Sequence, residues 1–152
     1  MEDLVVDASV VAATLVDEPA TEEAERALEA ATRRGMQVHA PDLLVYEIAS
    51  ALAKRIARDE IAPAAALEAL SDVLESEISL HPGSGLAKSA LSLAAAHGLT
   101  AYDSSYLALA IALGTQLLTL DRELERRGSA AGIAVVEPAG LSLDQRAGQQ
   151  RN

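Results

Sequence analysis

The chain has 152 residues, a formal net charge of -11, no Cys, Phe or Trp and only three Tyr. That length suits one domain with a real hydrophobic core, and the missing thiols exclude disulfides, zinc–thiolate sites and a thiol nucleophile. The scarcity of aromatics argues against a base-stacking platform, and the acidic balance weighs against nucleic acid, whose binders ordinarily carry basic patches.

The acidic start, Met1-Glu2-Asp3, lacks the basic, long-apolar character of a signal peptide. The longest apolar stretch, Tyr106 to Leu113, is too short to cross a bilayer. A soluble, cytoplasmic protein with no membrane partner is expected. Leu4 to Val6 reads as a first strand, followed by a helix from Ala8 to Val16 with Asp7 as N-cap. Thr21 to Arg34 is an amphipathic helix, capped by Thr21, with Glu22, Glu23 and Glu25 early and Arg33 and Arg34 late, as the helix dipole favours. Gln37 to Ala40 is a second strand. Asp42 is placed to cap a long helix reaching about Asp59, and Pro63 opens another to about Glu77. Ile78 to Leu80 is a third strand and Ser84 to His97 a helix stopped by Gly98. Asp103 to Leu113 is a helix apolar on nearly every face, which places it centrally. Gln116 to Leu120 is a fourth strand, Arg122 to Arg127 a short helix and Ile133 to Val136 a fifth strand. The alternation implies a parallel sheet covered on both faces, in one domain over residues 1–138. Residues 139–152 read as a polar, flexible tail.

Four carboxylates interrupt apolar sequence: Asp7 after Leu4-Val5-Val6, Glu47 within Leu43-Leu44-Val45-Tyr46-Glu47-Ile48, Asp103 before Ser104-Ser105-Tyr106-Leu107, and Asp121 after Leu117-Leu118-Thr119-Leu120. In a parallel sheet Asp7 and Asp121 end strands at the same carboxyl edge. Asp103 starts a helix that must run antiparallel to the fourth strand, and Glu47 lies early in a helix after the second, so both reach that edge. Glu47 shares a helical stripe with Leu44, Ile48 and Ala51, and Asp103 with Tyr106, Leu107 and Ala110, so both point inward. Gathered like charges raise each other's pKa and destabilise the fold, and a hard divalent cation resolves that. Oxygen-bound hard cations point to phosphoryl chemistry.

Other readings of these residues stand beside that one. Asp7, Asp103 and Asp121 each sit where an N-cap belongs, and Glu47 could pair with Lys54 or Arg55 in the interior. His39, His81 and His97 read as structural or surface residues. Gly83-Ser84-Gly85 with Lys88-Ser89 lacks the glycine that a phosphate loop needs directly before its lysine. A receiver-like domain would need adjacent acids after the first strand and an acceptor Asp ending the third, where this chain has Leu80-His81. A non-catalytic interaction protein on the same fold is a further alternative.

Asp7-Ala8-Ser9 after an apolar strand, Tyr46 to Leu52, Tyr102 to Ala110 and Leu117 to Leu124 together resemble the PIN-domain ribonucleases, and among them the VapC toxins of bacterial toxin–antitoxin pairs. The likeness runs from Leu4 to about Pro138. It implies a three-layer α/β/α fold with a central five-stranded parallel sheet and an acidic cluster for Mg²⁺ or Mn²⁺. By that resemblance Asp7 and Asp103 are the most direct metal ligands. Glu47 and Asp121 are the remaining acidic pair, and Ser9 and Thr119 the supporting hydroxyls. It further implies metal-dependent cleavage of RNA, tRNA being a plausible class, leaving a 5′-phosphate and a 3′-hydroxyl. A homodimer and a VapB-like antitoxin complete the expectation. Arg122, beside Asp121, and Lys54 and Arg58, on the line of Glu47, are candidate RNA contacts. Arg58 lies about 16 Å from Glu47 along the helix axis.

Overall fold

A computed structural model describes residues 2–141. In chain order the elements are β1 (Asp3–Val6), α1 (Ala8–Leu15), α2 (Thr21–Arg33), β2 (Gln37–Pro41), α3 (Leu44–Ala57), α4 (Pro63–Glu75) and β3 (Ser79–His81). A 3-10 turn (Gly83–Gly85) leads into α5 (Ala87–His97), α6 (Ala101–Leu113), β4 (Gln116–Leu118), α7 (Arg122–Ala130) and β5 (Val135–Val136). The five strands form one parallel sheet in the order β3-β2-β1-β4-β5. Val5 stands opposite His39 on one side and Leu117 on the other. The chain winds outward from β1 to β3, then crosses back to β4, so strand order reverses between β1 and β4. Ligands of open α/β sheets bind at such a reversal. The order also removes the receiver-like alternative, which is built on 2-1-3-4-5.

Right-handed crossovers put the two legs of the winding on opposite faces. α6 lies across β1, β2 and β4 with α5 packed along it, while α1 and α2 pack together and the α3–α4 hairpin joins at α1. Leu4, Val5, Val6, Leu117 and Leu118 are fully buried, as strands covered on both faces require. The central helix is as the sequence implied: Ser104 through Ala110 are all buried, and only its rims show Tyr102 and Ile111. Among the described residues no helix is long and apolar enough to cross a membrane.

Several element ends differ from expectation. β4 stops at Leu118, and β5, at the sheet edge, is only two residues long. Thr21 is the first helical residue and no cap. Its hydroxyl accepts from the Glu18 amide and lies 2.7 Å from the Ala13 carbonyl, fastening the α1–α2 turn. Asp42 turns away from α3 to accept the Gly83 amide at 3.0 Å. The ordered chain runs past residue 138, since Leu141 is buried in the core. The rest of the expected tail, residues 142–152, lies outside the described residues. His39 is a structural residue: its ring nitrogens stand 2.9 Å from His81 Nε2 and 2.9 Å from Asp3 Oδ1, linking three strands.

Gly128 is where α7 comes closest to the sheet. A Cβ there would meet Val135 Cγ2 at 2.7 Å and Leu107 Cδ2 at 3.0 Å. Gly128→Ala is therefore expected to lower stability by about 1–3 kcal/mol through overpacking, measured by urea denaturation. An unchanged midpoint would mean that α7 is not seated as described.

Candidate functional site

Asp7 follows β1 directly, and its amide donates to the Leu118 carbonyl at 3.0 Å, tying it across the reversal to β4. It holds the N-cap position of α1 but makes no side-chain cap bond. Instead Asp7 Oδ2 accepts from Ser9 Oγ and from Thr119 Oγ1, both at 2.7 Å. Those hydroxyls are fixed in turn: the Leu120 amide donates to Ser9 Oγ at 3.0 Å and the Asp121 amide to Thr119 Oγ1 at 2.9 Å. The loop after β4 is thus wound around the Asp7 carboxylate.

Asp121 is the N-cap of α7, its Oδ1 accepting from the Glu123 and Leu124 amides at 2.9 and 3.1 Å. The capping reading therefore holds for Asp121, and it lies exposed on the rim. For Asp103 that reading is corrected. α6 begins at Ala101, and Thr100 is its N-cap, accepting the Asp103 amide at 3.1 Å. Asp103 is left in the first turn, its carboxylate hydrogen-bonded to the Thr100 side chain. Glu47 occupies the first turn of α3 beside buried Leu44 and Ile48. The suggested internal pair with Lys54 or Arg55 does not form: Arg55 bonds Glu18 and Glu60, and Lys54 is exposed. Among the described residues none of the four carboxylates has an ion pair with a basic side chain.

The electrostatics binds the four into one cluster. Burial pushes the Asp7 carboxyl above its ordinary range, against the hydrogen bonds from Ser9, Thr119 and the Ala8 backbone, and the Asp121 charge adds to the rise. Burial first, the Asp7 charge second and Asp103 third bring Glu47 up to about 7, with the Tyr106 hydroxyl opposing. Asp103 is raised by burial, then by Asp7 and Asp121. Like charges drawn together without a protein cation are a configuration that a bound cation relieves.

Tyr106 is a site residue that the sequence hid inside an apolar stripe. It is fully buried, and its hydroxyl sits close enough to Glu47 to favour the charged carboxylate. Yet both the hydroxyl and Glu47 Oε1 are buried without a completed hydrogen bond. Because the contact to Glu47 falls short of a full hydrogen bond, Tyr106→Phe should change stability by no more than about 1 kcal/mol. Tyr106→Ala should cost about 3–5 kcal/mol. Urea midpoints for the two variants check this, and a large loss in the Phe variant would show that the hydroxyl is already paired.

The donor set is all oxygen, hard and anionic, which fits Mg²⁺ or Mn²⁺, and the orphaned Glu47 Oε1 is a ready ligand atom. Among the described residues no three carboxylate or histidine groups stand close enough to enclose an ion unaided. An ion held there would need water or substrate oxygens to complete its coordination, as Mg²⁺ ordinarily does. Of the candidate RNA contacts, Lys54, Arg58 and Arg122 are exposed with no ion pair among the described residues. Arg126 and Arg127 are instead held by Glu123, whose carboxyl their hydrogen bonds lower to about 2.

The chain is also similar to known proteins. A family model described as PIN domain matches residues 4–129. Ribonuclease VapC3 of Pyrobaculum aerophilum is 40% identical over 126 residues, 82% of this chain and 93% of the relative. Ribonuclease VapC9 of Mycobacterium tuberculosis is 36% identical over 135 residues, 89% of this chain and 98% of the relative. The crystal structure of PAE2754 from Pyrobaculum aerophilum superposes with a TM-score of 0.70 at 27% identity, covering 96% of this chain and 90% of that one. Sheet order, acidic edge and these matches agree: the chain belongs to the PIN-domain family, among relatives of the VapC type.

Proposed function

We propose that this protein is a divalent-metal-dependent endoribonuclease acting as the toxin of a toxin–antitoxin pair. The observation that carries the reading is the buried Asp7 carboxylate held by Ser9 and Thr119 at the strand-order reversal, sharing its surroundings with Glu47, Asp103 and Asp121 and with no ion pair to a basic side chain among the described residues. The relatives named VapC ribonucleases supply the reaction class.

Asp7, oriented by Ser9 and Thr119, and Asp103, in the first turn of α6, are the residues that would hold Mg²⁺ or Mn²⁺ most directly. Glu47 and Asp121 would complete the acidic surround, directly or through water. The chemistry that a cation bound there supplies is polarisation of the scissile phosphate and activation of water. The protein's own part is positioning. Glu47 Oε1, buried without a hydrogen-bond partner on α3, would orient the attacking water. The apolar floor under it, Tyr106 and Ile48, keeps bulk solvent from one side. Arg122, next to Asp121 and exposed, would take a phosphate oxygen, and Lys54 and Arg58 would hold RNA flanking the cut. Products with a 5′-phosphate and a 3′-hydroxyl follow from the resemblance. So do a homodimer and a VapB-like antitoxin, whose basic side chains would suit this acidic edge.

Total RNA and a tRNA pool, incubated with purified protein in Mn²⁺, Mg²⁺ or EDTA, test the reading. Discrete cuts that need the metal and end in a 5′-phosphate are expected. Cuts that persist in EDTA would overturn it. An absence of cuts together with no effect of Mn²⁺ on melting would leave a non-catalytic interaction protein on this fold.

A further inference from the structure

We propose that Tyr46 and Tyr102 hold single-stranded RNA by stacking on bases to either side of the scissile phosphate. The proposal rests on the RNA-cleaving reading above and goes beyond it by naming how an acidic protein grips its substrate. Of the three tyrosines, Tyr106 is buried, whereas Tyr46 and Tyr102 are 79% and 68% exposed. Each immediately precedes a site carboxylate, as Tyr46-Glu47 and Tyr102-Asp103, in the first turns of α3 and α6. Consecutive helical residues point about 100° apart. With the carboxylate directed into the cluster, the residue before it stands on the flank. Both carboxylates lie in the first turns of helices that begin at the carboxyl edge of the sheet, so the two rings stand at the rim of one site. Neither phenol hydroxyl has a hydrogen-bond partner among the described residues.

Exposed aromatic rings at the rim of a polar site mark an interaction surface. The occupant is chosen by the chemistry beside it. A phosphodiester held at the carboxylates brings its neighbouring bases to the rim, and each base has a face to stack on a ring. Charge argues the same way. The chain carries -11, and among the described residues Lys54, Arg58 and Arg122 are exposed and have no ion pair. Phosphate attraction is therefore weak, and stacking, which needs no net charge, supplies what a basic groove would otherwise provide. Too few aromatics exist for an extended platform, but two rings suffice for one nucleotide on each side of a cut. Stacking is tolerant of base identity and requires unpaired bases, so the substrate class is loops and single strands.

The test uses the full chain carrying Asp7→Asn to prevent cleavage, and a single-stranded oligoribonucleotide with fluorescent 2-aminopurine. Binding should quench the base. Tyr46→Ala and Tyr102→Ala should each weaken binding about ten-fold and relieve the quench, while the Phe variants keep both. Unchanged affinity and quench in the Ala variants would overturn the proposal. Ala variants that change molar mass in gel filtration would overturn it in favour of a contact between copies of the chain. If the parent protein binds no single-stranded RNA and the wild type cleaves none, the nuclease reading itself fails. Tight binding and cleavage with indifferent tyrosines removes the stacking proposal alone.

Discussion

Asp7→Asn is expected to fold normally and to lose RNA cleavage by at least about a thousand-fold, a loss in the upper range for removing a preorganised electrostatic group. The amide is isosteric and retains an oxygen for the Ser9 and Thr119 hydroxyls that both bond Oδ2 at 2.7 Å. What disappears is a buried negative charge, so in chelator the variant should melt at or above the wild-type temperature. Asp103→Asn should lose activity to a similar degree, since the amide keeps an oxygen for the Thr100 side chain and only the charge is removed. Ser9→Ala and Thr119→Ala act through Asp7 and should cost about 10–100-fold. Cleavage rates beside melting curves separate these outcomes. A folded Asp7→Asn protein with full activity would remove the assignment of the site.

The second large effect is on stability and reverses with metal. Glu47 titrates from the ordinary 4.5 in the unfolded chain to about 7 in the fold. Between those values the folded state binds more protons than the unfolded one, so in EDTA stability falls as pH rises from about 4.5 to about 7. Because Glu47 is partly exposed, solvent screening reduces the effect to about 1–2 kcal/mol. Asp7 and Asp103, both raised, act with the same sign. A cation binds the deprotonated carboxylates, so Mn²⁺ should oppose the fall. At a hundred-fold excess over its Kd it should add about 2.7 kcal/mol near pH 7.5, or on the order of 5–10 °C in Tm. Melting that is independent of both pH and Mn²⁺ would contradict a shared acidic site.

Much of this was legible in the chain because direction is a topological property. Parallel strands put Asp7 and the Asp121 loop at one edge whatever their order, and the stripe through Leu44, Glu47 and Ile48 put an acid on the buried side of α3. Strand order is different: nothing local to Leu117-Leu118 says that β4 lies beside β1, and only that adjacency lets Thr119 reach Asp7. The helix start at Thr100 had a local signal, Thr100-Ala101-Tyr102-Asp103 ahead of an apolar run, which has the pattern of a capping box. Asp103 competes for the same role, and the choice depends on where the chain turns. Tyr106 could not be singled out, because its ring satisfies the apolar period and its hydroxyl acquires meaning only opposite Glu47. The pairing of Arg55 with Glu18 required the α1–α2 turn to come alongside α3, a contact between elements far apart in sequence.

The most direct test is a Mn²⁺ titration followed by electron paramagnetic resonance, with wild type, Asp7→Asn, Glu47→Gln and Asp103→Asn compared at one pH. If the carboxylates form one cation site, wild type should silence the free-ion signal stoichiometrically and each variant should release it at lower concentrations of Mn²⁺. Wild-type protein that leaves Mn²⁺ free, or an Asp7→Asn variant that binds it equally well, would show that the four acids do not act as a metal centre.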